Sequence, residues 1–160
     1  MADDNEVMKD LQVVVFRLGS EEYGADISQI REIIRVGEIT TIPHAPPDVD
    51  GVINLRGNIT TVVNLRKRLG MEERAIDGNS RIIVAEVGGK TLGFMVDNVS
   101  EVKYIAGAQI EPMSSVLADS QDNSYILGIC KLKDHLLILI NLRKVIGGQQ
   151  DSNAAGTAAV

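Results

Sequence analysis

The sequence predicts an all-β protein made of two small barrels of about five strands each, and three observations carry that expectation. The chain repeats itself, its apolar runs are short and β-branched, and those runs end in glycine turns instead of extending into helical periodicity. Gly51-Val-Ile-Asn-Leu-Arg-Gly57 and the run that follows it to Gly70 align with Gly128 to Gly147; both end glycines match, as do Asn64-Leu-Arg-Lys67 and Asn141-Leu-Arg-Lys144. Further forward, Leu18-Gly-Ser-Glu-Glu-Tyr-Gly24 aligns with Val87-Gly-Gly-Lys-Thr-Leu-Gly93, and Ile30-Arg-Glu-Ile33 with Val99-Ser-Glu-Val102. Gly88 follows Gly19 by 69 positions and Gly128 follows Gly51 by 77, so the second half holds eight extra residues, expected within Glu111–Tyr125. Two matches in the same order indicate a duplicated unit.

Each half reads as short strands. Val13–Leu18 and Ile82–Val87 are rich in β-branched residues and run into Gly19-Ser20 and Gly88-Gly89, which have hairpin-turn chemistry. Gly57-Asn58 separates Val52–Arg56 from Ile59–Leu65, and Asp134-His135 takes that place in the second half. Ile27–Ile34 has apolar spacing of three and β-branched side chains, which reads as a short helical turn running into a strand. Pro43, Pro46 and Pro47 keep the next segment out of a helix. Leu65–Leu69 and Leu142–Ile146 read as single helical turns closing each half. Closing each half into a barrel would remove exposed sheet edges. The domain is expected over 11–146, with a first barrel at about 11–70, a second at about 80–146, and chain ends free to cross between them. Residues 1–10 are expected to form a flexible N-terminus. Residues 149–160, which lack bulky side chains and apolar periodicity, are expected to be a disordered tail.

Composition excludes several functions. A net charge of −6 argues against nucleic-acid binding, which needs a basic face to displace counterions, and 3% aromatic residues leave no base-stacking platform. The start lacks the basic and apolar regions of a secretory signal, and no apolar stretch approaches the roughly 20 residues of a membrane helix. A lone cysteine, Cys130, cannot form an internal disulfide and lies in an apolar run, which reads as a small core residue in a reducing, cytoplasmic compartment. His44 and His135 lack metal-ligand spacing and read as loop and turn residues, Gly88-Gly89 lacks a Walker lysine, and Asp97-Asn98 has no oxygen cage around it. No catalytic, metal or cofactor site is expected. The unusual features are a guanidinium, Arg56, at the lip of a hairpin and a carboxylate, Glu32, in an otherwise apolar strand.

The series Glu22-Tyr-Gly-Ala-Asp-Ile27, Ile30-Arg-Glu-Ile33, Ile42-Pro-His-Ala-Pro46, Gly51-Val-Ile-Asn-Leu-Arg-Gly57 and Val62-Val-Asn-Leu-Arg66 closely resembles the CheW family of chemotaxis coupling proteins, from about Leu11 to Ile146. Gly93-Phe-Met-Val-Asp-Asn-Val99 looks like the matching segment of the second half. The module also occurs in the histidine kinase CheA and in CheV, and a chain of 160 residues has no room for their further domains. The resemblance implies two SH3-like barrels and a non-enzymatic adaptor. Its implied partners are the CheA regulatory domain and the cytoplasmic tips of methyl-accepting chemoreceptors, with the membrane reached only through those receptors. Carried over by motif, Glu32, Arg56, Val99 and Val102 are expected to contact receptors around a groove between the barrels. Val14, Ile27 and Ile30 are expected to form an apolar edge for the kinase, with Gly51 a glycine sensitive to substitution. Ile34 departs from relatives that carry a charge there. The rival readings are a small-ligand-binding barrel and a coupling protein for another sensory output.

Overall fold

The computed structural model describes residues 9–112 and 125–146. In chain order these form β1 (Leu11–Leu18), β2 (Glu21–Asp26), β3 (Ile30–Arg35), β4 (Val49–Leu55), β5 (Asn58–Asn64), α1 (Leu65–Arg68), β6 (Arg81–Val87), β7 (Lys90–Val96), β8 (Asn98–Ile105), β9 (Ile110–Pro112), β10 (Ile126–Lys131), β11 (Leu136–Ile140) and a helical turn α2 at 142–146. A 3-10 turn over Ile27–Gln29 runs into β3, as the mixed periodicity of that segment predicts, and the Asp26 carboxylate caps it by accepting from the Ser28 amide. Asn64 caps α1 and Asn141 caps α2 in the same way, through the Lys67 and Arg143 amides. Asp10, at the end of the N-terminal stretch expected to be flexible, accepts from the Gly107 amide at 2.7 Å and from the Tyr104 hydroxyl at 2.6 Å. The rest of that stretch, the tail at 149–160 and most of the extra segment within Glu111–Tyr125 lie outside the described residues.

The strands form a six-stranded sheet, ordered β8-β1-β2-β11-β10-β9, and a five-stranded sheet, ordered β3-β6-β7-β5-β4. These sheets are not the two sequence halves, so the ranges 11–70 and 80–146 do not delimit them. The β1–β2 hairpin of the first half joins the late strands, and the β6–β7 hairpin of the second half joins β3, β4 and β5. Neither sheet closes on itself through the strand pairings, and the first has six strands where about five were expected. The duplication governs this exchange. Each swapped hairpin is held by one parallel seam at an equivalent register, Ile138 opposite Tyr23 and Thr61 opposite Leu92. Equivalent bulges recur at Ser100 on β8, opposite Val15/Phe16, and at Arg31 on β3, and again between Val49/Gly51 on β4 and Ile126/Gly128 on β10.

Three cores follow. Val13, Val15, Ile105, Ile110, Cys130, Leu137 and Leu139 fill the six-stranded sheet, and Ile53, Val62, Ile82, Val84 and Met95 fill the other. The third core draws on both sheets and on both helical turns: Phe16, Leu18, Ile83, Phe94, Leu65, Ile140, Leu142 and Val145 are among its members. Phe16 stands where the other half has Ala85, and Phe94 where the other half has Ala25, and all four are buried together. Each half is large where the other is small, so the equivalent positions share one interior without two large rings competing for it.

Candidate docking groove and its charged pair

Arg56 and Glu32 meet because of one turn. β4 and β5 pair out to Leu55 opposite Asn58, so the loop is Arg56-Gly57, one residue earlier than the Gly57-Asn58 turn expected from the sequence. Arg56 has φ 52° and Gly57 has φ 91°, the pair of left-handed residues that a two-residue hairpin of matching twist requires. Arginine adopts that backbone at a cost that glycine or asparagine would avoid. The Asn54 side chain braces the turn by accepting from the Gly57 amide at 2.7 Å. The turn aims the guanidinium at β3, where its Nη1 donates to Glu32 Oε1 at 3.2 Å and its Nη2 to Glu32 Oε2. The hydrogen bond from Arg56 is the main reason the Glu32 carboxyl sits below its ordinary range, and the same contact raises Arg56.

The pair borders a groove of about 790 Å³ built entirely from the five-stranded sheet. The bulge on β3 skips Arg31, which turns both Arg31 and Glu32 toward this space; Arg31 also bonds Glu86 at 2.8 Å. Asn58, Thr60, Thr61, Lys90 and Thr91 add polar groups, while Leu55, Ile59, Val84 and Leu92 supply its apolar lining. Ile59 is 71% exposed, an open apolar side chain on a strand whose other face is core. Among the described residues no group of three or more His, Cys, Asp or Glu is placed to hold a metal ion. Asp97, flagged by the sequence only as a possible cation ligand, instead receives two bonds from Arg66 (2.8 and 2.6 Å), one from Arg74 (3.0 Å) and one from the Gly19 amide (2.7 Å). Burial alone would raise its carboxyl, but the Arg66 and Gly19 hydrogen bonds outweigh that and lower it to about 2.

The remaining expected contact residues do not gather around this groove. Val99 and Val102 lie on β8 in the other sheet; Val99 packs partly buried against the shared core, and Val102 is 49% exposed. Val14 is opposite Val102 in the β1–β8 register and only 1% exposed, so its side chain offers no contact surface. Ile27 is half-buried in the 3-10 turn, and Ile30 is half-buried against the shared core. Gly51 is buried at φ 146°, and a Cβ there would stand 2.2 Å from the Thr40 carbonyl oxygen, which gives a structural reason for sensitivity to substitution. Sequence reasoning missed Lys90, Thr91 and Ile59 as groove residues. The repeat carried a signal for Lys90, since the equivalent position in the first half is Glu21.

The CheW-like domain model matches residues 12–150. The chain is 32% identical over 139 residues to the chemotaxis protein CheW of Klebsiella aerogenes, covering 87% of this chain and 83% of that one. It is 31% identical over 143 residues to the chemotaxis protein CheW of Bacillus subtilis, covering 89% of this chain and 91% of that one. Among solved structures it is similar to the scaffolding protein TtCheW from Thermoanaerobacter tengcongensis, with a TM-score of 0.75 and 39% identity over 84% of this chain and 91% of that one. That likeness places the two-sheet architecture within the pattern of paired SH3-like barrels.

Proposed function

We propose, since the chain belongs to the CheW-like domain family, that it joins the cytoplasmic tips of methyl-accepting chemoreceptors to the regulatory domain of a CheA-type histidine kinase. It is a non-enzymatic coupling scaffold of chemotaxis signalling. Among the described residues no helix is long and apolar enough to cross a membrane. In this reading the protein works in the cytoplasm and reaches the membrane through its receptors.

The observation that carries the site assignment is the Glu32–Arg56 pair at the groove. The two side chains hold each other in place at the rim, and the same lining holds apolar Ile59 and Leu92, a mixture that suits an amphipathic helical hairpin laid along the sheet. Charged rims of this kind set association rate and partner choice. The kinase contact is assigned to the apolar edge around β3, where Ile30 is half-buried and Ile33 is 37% exposed. Val14 lies on β1 in the other sheet and Gly51 on β4, at the opposite end of this sheet's strand order, so neither is part of that edge.

The test is quantitative binding of the full chain to a receptor cytoplasmic fragment and, separately, to the kinase regulatory domain. Arg56→Glu is expected to weaken receptor binding about tenfold with an unchanged melting temperature. Ile33→Asp is expected to weaken kinase binding by more than ~1 kcal/mol, the loss typical of an interface-core residue. Ile30→Asp also disturbs the shared core, so Ile33 is the cleaner probe. Unchanged affinity of a folded Arg56→Glu protein for the receptor fragment would remove the groove from the receptor assignment.

A further inference from the structure

Every position around the groove has a counterpart on the six-stranded sheet, because the repeat maps one onto the other. Glu32 corresponds to Glu101 and Arg56 to Lys133, while Lys90 corresponds to Glu21 and Thr91 to Glu22. The groove therefore carries three cations, Arg31, Arg56 and Lys90, against the single lining carboxylate of Glu32. The equivalent positions on the other sheet carry three carboxylates and one lysine, with serine at the place of Arg31 and histidine, His135, at the place of Asn58. Positions equivalent in the repeat present opposite charge, on a chain whose net charge is −6.

Two of the groove cations already have internal counter-charges, Arg56 on Glu32 and Arg31 on Glu86. Lys90 is exposed at the first position of β7 and, among the described residues, forms no ion pair or side-chain hydrogen bond. We propose that Lys90 is a specificity-determining residue of this groove, its ammonium pairing with a carboxylate on an acidic protein segment that docks there. This rests on the reading of the groove as a docking site given above and adds the charge its occupant must bring. The Glu21 position of the other sheet rejects the same segment, so the two pseudo-equivalent faces cannot exchange partners.

The test measures affinity of the full chain for the receptor cytoplasmic fragment, at low and high salt, in Lys90→Glu, Lys90→Gln, Glu21→Lys and Arg56→Glu proteins whose melting curves match the parent. Lys90→Glu is expected to weaken binding about tenfold at low salt, Lys90→Gln by about threefold with a shallower salt dependence, and Glu21→Lys by less than about twofold. Loss of binding in Arg56→Glu with parental affinity in both Lys90 variants overturns the assignment of Lys90 and leaves the groove in place. Parental affinity in Arg56→Glu and Lys90→Glu alike removes the groove reading, and this inference with it. An effect of Glu21→Lys as large as that of Lys90→Glu overturns the discrimination between faces. If Lys90→Glu alters self-association in sedimentation and not receptor affinity, the occupant is a second copy of the chain and the acidic-partner assignment falls.

Discussion

Glu32 and Glu101 occupy equivalent places in the two sheets, as do Arg56 and Lys133, yet the two ends of the molecule use them differently. On the five-stranded sheet a left-handed Arg56-Gly57 turn brings the guanidinium to Glu32. On the six-stranded sheet the equivalent turn is Lys133-Asp134, neither residue has positive φ, and Glu101 lies 3.9 Å from its near neighbour Lys103. The apolar positions kept their character through the duplication: Ile33 and Val102 are both exposed, and so are Ile59 and Leu136. Interiors also match, with Val13 and Ile82, Val15 and Val84, and Cys130 and Ile53 filling equivalent sites. Packing constrains a buried position from all sides, whereas a turn or rim residue is constrained from fewer, so divergence concentrates at the turns and rims.

The largest effects should come from the close approach to backbone carbonyls at Gly51 and its repeat counterpart Gly128. A Cβ on Gly51 would stand 2.2 Å from the Thr40 carbonyl oxygen, and one on Gly128 would stand 2.5 Å from the Glu111 carbonyl oxygen. Only Gly51 also has a backbone angle that other residues resist, φ 146°. Gly51→Ala is therefore expected to cost roughly 4 kcal/mol, a sum of strain and overpacking, and Gly128→Ala about 2 kcal/mol from overpacking alone. Urea denaturation of the two variants measures the difference. Equal losses would mean that steric collision dominates and that backbone strain at Gly51 contributes little.

The next effect separates the links that tie the swapped hairpins down. In the first, Asp97 follows β7 and joins the β1–β2 turn to α1 through Gly19 and Arg66. At the other, Gln29 bonds the Asn141 side chain and the Leu142 amide, each at 3.2 Å, with no charge involved. Asp97→Ala leaves Arg66, whose side chain is only 13% exposed, without its counter-charge, and is expected to cost about 3 kcal/mol. Gln29→Ala is expected to cost about 1 kcal/mol. The ionic link also has a pH signature. Asp97 falls from an ordinary 3.8 to about 2 on folding, so its contribution is present above 3.8 and is lost as pH falls toward 2. Asp97→Asn should flatten stability across that interval, and an unchanged acid-unfolding profile would show that other carboxylates set it.

Much of this architecture could be read from the chain because a duplication repeats its own evidence. Val13–Leu18 and Ile82–Val87 read as strands, Ile27–Ile34 as a turn running into a strand, and the two Asn-Leu-Arg-Lys runs as helical turns, each on local grounds, and the structure forms them. The exchange of hairpins between sheets was not legible. Strand periodicity reports which face is buried but not which neighbour a strand takes, and the β2–β11 and β5–β7 seams join segments distant in sequence. Glu32 and Arg56 stand out in the sequence as a charge in an apolar strand and a guanidinium at a hairpin lip, and the structure joins them. Val14 could not be recognised as interior from an uninterrupted Val13-Val-Val15 run, since such a run fits burial on one face or on both. Asp97 and Arg66 lie 31 positions apart with no shared motif, so only folded geometry reveals their bond.

The smallest effect concerns the parallel seams themselves. On the six-stranded sheet His135 Nε2 lies 2.6 Å from Glu22 Oε1 across the β2–β11 seam, with Asp134 3.1 Å from Nδ1 and Arg17 3.7 Å from Glu22. The equivalent residues at the other seam are Asn58 and Thr91, which do not titrate. Hydrogen bonding to Asp134 first, then to Glu22, raises the His135 imidazole above 6.5. A raised folded value means that the stabilisation is fully present below 6.5 and is lost as pH rises through the folded value. His135→Asn, which makes this seam resemble its counterpart, should abolish that slope in melting temperature while leaving the acidic limb governed by Asp97 unchanged. The side chain is 45% exposed, so water screens the pair and the slope should be shallow. A parent protein with no slope above 6.5 would mean that the Glu22 contact persists with the neutral imidazole, and that both seams are equally indifferent to protons.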